Sequence, residues 1–169
     1  LDKIGIHYRI FSRSKDEKSI LEKIDRKAKE GSPYEKNGKL IQDIIGIRVV
    51  TYFRDDVNLV KTILSRIITF KDEEIDNPEL TVFKPKRTNI ICSFNDSQQK
   101  TFAEVQKSSD KEYYDVLDST FELQLRTVLS EGWHEIDHSL RYKCKNDWEG
   151  HYDNERLLNG IYASLETND

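Results

Sequence analysis

Residues 44–53 read Ile-Ile-Gly-Ile-Arg-Val-Val-Thr-Tyr-Phe, an apolar and β-branched run interrupted only by Gly46 and Arg48. A run this short, with no polar stripe at helical spacing, reads as a buried central strand. Arg48 inside it needs a partner, because a guanidinium buried alone is costly. The sequence leaves two readings open. Arg48 is either an internal ion pair or strand-end cation, or it faces a bound anion. Asp43 lies at the mouth of the strand, five residues before Arg48.

A second strand is legible at Phe121–Thr127 (FELQLRT), which alternates strictly. Phe121, Leu123 and Leu125 share one face, while Glu122, Gln124 and Arg126 form a row on the other. That row is either the solvent side of an antiparallel sheet or the polar wall of a cleft. Around these strands, residues 17–30 read as an amphipathic helix with Ile20, Leu21, Ile24 and Ala28 at helical spacing. Ser14 with Glu17 and Ser19 with Glu22 both fit a capping box, and Gly31-Ser32-Pro33 ends the helix. A helix beginning at Asp55-Asp56 carries Val57, Val60, Leu64 and Ile67 on one face. An acidic loop is expected over 71–80, and strands at Val82-Phe83 and Ile90–Cys92 flank Lys84-Pro85-Lys86-Arg87. Helices are expected over 96–107, 128–143 (Leu129, Trp133, Ile136 and Leu140 inward) and about 154–165. Helices alternating with strands in this order imply an α+β domain with a mixed sheet.

The 169 residues amount to one domain with room for a core. A net charge of −4 argues against whole-surface DNA binding, yet residues 12–39 carry a local excess of three positive charges. No apolar stretch approaches the roughly 18–20 residues of a membrane helix, and no signal-peptide pattern opens the chain. Cys92 and Cys144 are too few for a disulfide framework. A reducing, cytoplasmic setting is the expectation. The chain starts at Leu1 without a Met, so a piece of a longer protein is expected.

Three groups of residues could carry chemistry. Asp43 and Glu122 could supply oxygen ligands to Mg²⁺, which takes one or two carboxylates plus substrate phosphates. Arg13, Lys15, Ser19 and Lys23 place cations and a hydroxyl around a helix start, a ready anion site, or form only a solvated basic face. His134-Glu135-Ile136-Asp137-His138 matches the HExxH zinc pattern, but Asp137 sits between the ligands and no third ligand is evident.

Together the pieces resemble the RelA/SpoT-type synthetase domain, the nucleotide pyrophosphotransferases that make alarmones such as (p)ppGpp. The resemblance runs from Ser12 to Lys143. It is carried by Arg13-Ser14-Lys15 with Ser19 and Lys23, by Asp43-Ile44-Ile45-Gly46-Ile47-Arg48, by Phe121–Thr127, and by Trp133, His138 and Tyr142-Lys143. It implies a nucleotidyltransferase-like mixed sheet flanked by helices, ATP as donor and Mg²⁺ as cofactor. By position, it implies that Arg13 holds the adenine side of ATP and that Lys15, Ser19, Lys23 and Arg48 bind its phosphates. Asp43 and Glu122 would hold the metal, with Glu122 also the base for the acceptor 3′-hydroxyl. Gln124, Arg126 and His138 would line the cleft.

One segment departs from the family pattern. A Lys-Pro pair is normally followed by Gly-Tyr, whose Tyr stacks on guanine, and then by Ser and His. Here Lys84-Pro85 is followed by Lys86-Arg87-Thr88-Asn89-Ile90-Ile91-Cys92, with Thr88 closest to the Tyr position and Cys92 closest to the His position. Losing an aromatic platform costs roughly 1–3 kcal/mol of base stacking. Lys84 and Lys86 could still meet acceptor phosphates. GDP or GTP is the default acceptor; an adenosine nucleotide or a tRNA 3′ end is the alternative. A non-catalytic nucleotide-binding module is a further alternative.

Overall fold

The computed structural model describes residues 1–75 and 88–169. Lys84, Pro85, Lys86 and Arg87, with the strand expected at Val82-Phe83, lie outside the described residues. Strands β1 (Tyr8–Ser14), β2 (Ile45–Thr51), β3 (Phe70–Ile75), β4 (Thr88–Ser93) and β5 (Thr120–Thr127) form one sheet in the order β1-β2-β5-β4-β3. β2 and β5 run parallel and the other neighbours antiparallel, so the sheet is mixed as expected. Helices α1 (Glu17–Lys29), α2 (Arg54–Leu64), α3 (Asp96–Ser108), α4 (Val128–Asp137) and α5 (Tyr152–Asn168) flank it.

The apolar face of the sheet holds the main core. Val49 of β2, Ile90 and Cys92 of β4, and Phe121, Leu123 and Leu125 of β5 pack with Val60 of α2. Each such side chain contributes about 1.5–3 kcal/mol on burial. A second cluster, Ile20, Ile41 and Leu117, seats α1 beside Phe102 of α3. Leu21, expected on that inner face, is exposed instead. β5 is the central and most buried strand, whereas β2 is buried only in its second half.

Several boundaries differ from the sequence reading. Neither Ser-x-x-Glu pattern caps α1; Asp16 does, its Oδ1 accepting from the Ser19 amide at 2.7 Å. A carboxylate outcompetes a hydroxyl there because it also meets the positive end of the helix dipole. β1 carries Arg9, Ser12, Arg13 and Ser14 on an exposed edge strand and gave no apolar alternation to read. The expected acidic loop begins as strand β3: Asp72–Glu74 pair along β4 after a register shift at Lys71, and Lys61 and Lys71 neutralise Glu73 and Asp118. α2 stops at Leu64, so Ile67 is exposed rather than inward.

Trp133 of α4 is buried against Tyr162 of α5, with ring centroids 5.2 Å apart. Beyond Asp137 the helix widens into one π turn, His138–Tyr142. α4 gives the Glu131 side to the polar row of the sheet and the opposite side to α5. Ile136 and Leu140 fall outside both contact lines and are exposed, contrary to the inward assignment.

Candidate functional site

The site is built at the N-terminal ends of the parallel pair β2 and β5. The Lys15 amide donates to the Ile44 carbonyl at 2.8 Å, tying the end of β1 to the start of β2. That bond delivers Lys15 beside Asp43. α1 begins immediately afterwards and carries Lys23 to the same carboxylate: Lys23 Nζ donates to both Asp43 oxygens at 2.7 Å, and Lys15 Nζ donates to Oδ2. All three side chains are a quarter exposed or less.

Burial alone would push the Asp43 carboxyl up, but hydrogen bonds and charge from Lys15 and Lys23 outweigh it and hold the group below the ordinary carboxylate value. The two lysines diverge because one anion cannot fully serve two cations. Burial lowers Lys15 despite its bond to Asp43, whereas at Lys23 the contacts to Asp43 outweigh burial and raise it. Asp43 stays ionised near neutrality, and the cluster carries a surplus positive charge. An anion is the natural guest of such a cluster.

Arg13 pairs with Gly46 in the β1–β2 ladder, and Gly46 pairs with Glu122 across the parallel pair. The Arg13 side chain lies across Gly46: a methyl at that position would touch its Cγ at 3.5 Å. Ser19 is spent on the α1 cap, its hydroxyl donating to Asp16 Oδ2 at 3.2 Å.

The polar row of β5 is not a solvent face. Gln124 and Arg126 are buried beneath α4. Gln124 Nε2 donates to Glu122 Oε2 at 2.8 Å, and Arg48 Nε donates to Gln124 Oε1 at 2.9 Å. Arg48 Nη1 reaches Glu131 and lies 3.6 Å from Glu135, while Arg126 Nη1 donates to Glu131 Oε2 at 3.2 Å. The partner that Arg48 requires is therefore Glu131, with Gln124. Sequence reasoning missed Glu131 because a lone acid in the first turn of a helix carries no signal of its own. It also missed Asn89, which pairs with Gln124 in the ladder and whose Oδ1 is buried without a hydrogen-bond partner among the described residues.

His138 opens the π turn, its ring centroid 6.0 Å from that of His134. Among the described residues no three His, Cys, Asp or Glu side chains group as a metal site, so HExxH gains no third ligand there. Cys92, the residue nearest the family's His position, points into the apolar core, and burial pushes its thiol up to about 12. A cavity of about 270 Å³ opens at the far end of β5, lined in part by Arg54, Arg126, Ser130 and Asp169. Its nearest lining residue on β5, Leu125, is three residues from Glu122, roughly 10 Å along the strand, and the cavity touches neither Asp43 nor Glu122.

A carboxylate just before β2, held by two cations, and a second near the start of the parallel strand β5 are donors that suit a hard divalent metal and a polyphosphate. Residues 12–147 match the model of a region found in RelA / SpoT proteins. The chain is 26% identical over 141 residues to the GTP pyrophosphokinase YwaC of Bacillus subtilis (strain 168), covering 80% of this chain and 59% of that protein. The chain thus spans less than two thirds of that relative's length. A GTP pyrophosphokinase family protein from Streptococcus pneumoniae has the same fold, with a TM-score of 0.65 at 23% identity over 96% of this chain and 73% of that one. So does the small alarmone synthetase 1 from Bacillus subtilis bound to its product pppGpp, with a TM-score of 0.63 at 22% identity over 94% of this chain and 74% of that one.

Proposed function

Because this chain belongs to the RelA/SpoT family, we propose that it is an ATP-dependent nucleotide pyrophosphokinase whose residues 1–169 act as one synthetase domain. It transfers the pyrophosphoryl group of ATP to the 3′-hydroxyl of a nucleotide, by default GDP or GTP, giving (p)ppGpp. The observation that carries the reading is the ionised Asp43 held between Lys15 and Lys23, two residues before β2, the strand that runs parallel to that of Glu122. Two free thiols and an ATP substrate fit a reducing, cytoplasmic setting.

Asp43 and Glu122 are the residues that would hold Mg²⁺, and the fit rests on their donor chemistry: two carboxylates, one just before β2 and one near the start of the parallel strand β5. When bound, the metal supplies charge neutralisation at the transferring phosphates. Lys15, Lys23 and Arg48 bind the triphosphate, and Arg13 the adenosine side. As polyphosphate enters, Lys15 and Lys23 turn from Asp43 toward phosphate oxygens, which frees the carboxylate. The acceptor 3′-oxygen forms a bond to the β-phosphorus, the bond from that phosphorus to the α–β bridging oxygen breaks, and AMP leaves. Glu122 takes the hydroxyl proton. Little covalent chemistry is asked of the protein; positioning and charge supply the rate. Gln124, Arg126 and His138 act as walls of the cleft, and Lys84 and Lys86 meet the acceptor.

The position of Cys92 favours a second reading of the acceptor. A thiol sealed in the core cannot stand in for a histidine in the cleft. An adenosine nucleotide or a tRNA 3′ end is therefore the competing acceptor. The test is a product assay with Mg²⁺ and radiolabelled ATP, with GDP, GTP, AMP, ADP or bulk tRNA in separate tubes. A pyrophosphorylated guanosine nucleotide supports the first reading. A product with another acceptor alone redirects it. No product in any tube, with ATP bound, leaves a nucleotide-binding module.

A further inference from the structure

We propose that Gln124 and Glu131 are positioning residues for Glu122, acting through Arg48 as a single relay from α4 to the reacting end of β5. Its kinetic arm rests on the pyrophosphokinase reading.

The relay alternates in sign and is continuous in hydrogen bonds. Glu122 Oε2 accepts from Gln124 Nε2 at 2.8 Å, Gln124 Oε1 accepts from Arg48 Nε at 2.9 Å, and the Arg48 guanidinium reaches Glu131. Glu131 is fixed in turn by Arg126, whose side chain is only 3% exposed. Only one orientation of the Gln124 amide satisfies both neighbours, its oxygen toward the guanidinium and its nitrogen toward the carboxylate. A Glu at 124 would set a second anion beside Glu122, and a Lys would leave Arg48 Nε without an acceptor. An amide is the group that joins a cation to an anion across one strand.

The consequence falls on Glu122. One of its oxygens is held by Gln124, which fixes the plane of the carboxylate and assigns Oε1 to the incoming hydroxyl or the metal. Arg48 could not hold Gln124 while also meeting the triphosphate without an anchor, because an unanchored guanidinium would turn wholly to the phosphate and release the amide. Glu131 supplies that anchor from a rigid helix, and Thr127 secures the helix start by accepting from the Ser130 amide at 3.1 Å. Misplacing a reacting group by about 1 Å costs on the order of 100-fold in rate.

The test uses Gln124→Met, Glu131→Gln, their double variant and Glu131→Asp, each confirmed folded by its melting transition. Gln124→Met is expected to lower kcat about 10–100-fold with the ATP KM little changed. Glu131→Gln should lower kcat comparably, Glu131→Asp should recover most of it, and the double variant should fall no further than the worse single one. A second arm needs no turnover. The Gln124 side-chain amide protons, followed by NMR, should be dispersed and slow to exchange in the wild type and in Glu131→Asp, and should collapse to solvent-like values in Glu131→Gln. Additive losses in kcat, or an amide unchanged in Glu131→Gln, overturn the relay. If the wild type makes no product with any acceptor, the function falls and the amide arm alone decides the relay.

Discussion

Lys23 donates to both oxygens of Asp43 at 2.7 Å from a helix that begins two residues after Lys15, the other cation on the same carboxylate. One helix start thus sets the geometry of the whole cluster. Asp43→Asn leaves two part-buried ammonium groups without their anion. The expected cost is about 1–3 kcal/mol of stability, read as a lower denaturation midpoint. Pyrophosphoryl transfer should fall to background. A variant with wild-type turnover would remove Asp43 from the metal site.

The same cluster makes stability depend on pH. Asp43 and Asp118 both titrate below the ordinary carboxylate value in the folded protein. In each, burial works upward and is outweighed, by Lys15 and Lys23 at Asp43, and by Lys71 and Gln42 at Asp118. A carboxyl depressed on folding contributes fully above its unfolded value, near pH 4, and loses that contribution as pH falls through its folded value. Melting temperature should therefore drop below about pH 4. The gap between wild type and Asp43→Asn should be widest near neutrality and narrow in acid. A gap that is constant across pH would show that the Asp43 charge contributes nothing to folding.

Ligand binding gives a test that needs no acceptor. At 100 times the dissociation constant, ATP adds about 2.7 kcal/mol of stability. For a chain of this size that raises the melting temperature by about 5–11 °C. Lys23→Ala should reduce the shift at the same ATP concentration. Equal shifts in the two proteins would place the phosphates elsewhere.

The parts of this site differ in how legible they were. β5 was readable because alternation over Phe121–Thr127 is a local signal, and so was the row Glu122, Gln124, Arg126. What the row does was not readable, since its burial depends on α4 folding back over it and on Glu131 being there. β1 and β3 escaped for a shared reason. Both are edge strands rich in polar side chains, and their pairing is fixed by neighbours distant in sequence, such as Gly46 opposite Arg13 and Ile90 opposite Glu73. Asp16 was hidden inside the first of two competing Ser-x-x-Glu patterns, Ser14 to Glu17. Only the backbone, extended at Asp16 and helical from Glu17, decides which residue caps.

The two thiols should react very differently. Cys92 is fully buried among Ile90, Phe121 and Leu123, and burial pushes its thiol up to about 12. Cys144 is exposed. A thiol reagent under native conditions should consume one equivalent quickly and the second only on unfolding. Two fast equivalents would mean that β4 opens readily, which would also unseat Asn89 and the partner strand of Glu122.

Arg48→Lys tests whether the centre of the site needs a fork or only a charge. A single planar guanidinium bonds Gln124 through Nε and Glu131 through Nη1. A lysine ammonium is one point at the end of a flexible stem and cannot hold both at their fixed separation. One buried bond is left unmade, which costs about 1–3 kcal/mol, and the melting temperature should fall accordingly. ATP affinity should fall less than in Arg48→Ala, because the charge survives. If Arg48→Lys matched wild type in both measurements, the bidentate geometry would be incidental and Glu131 would serve only to neutralise Arg126.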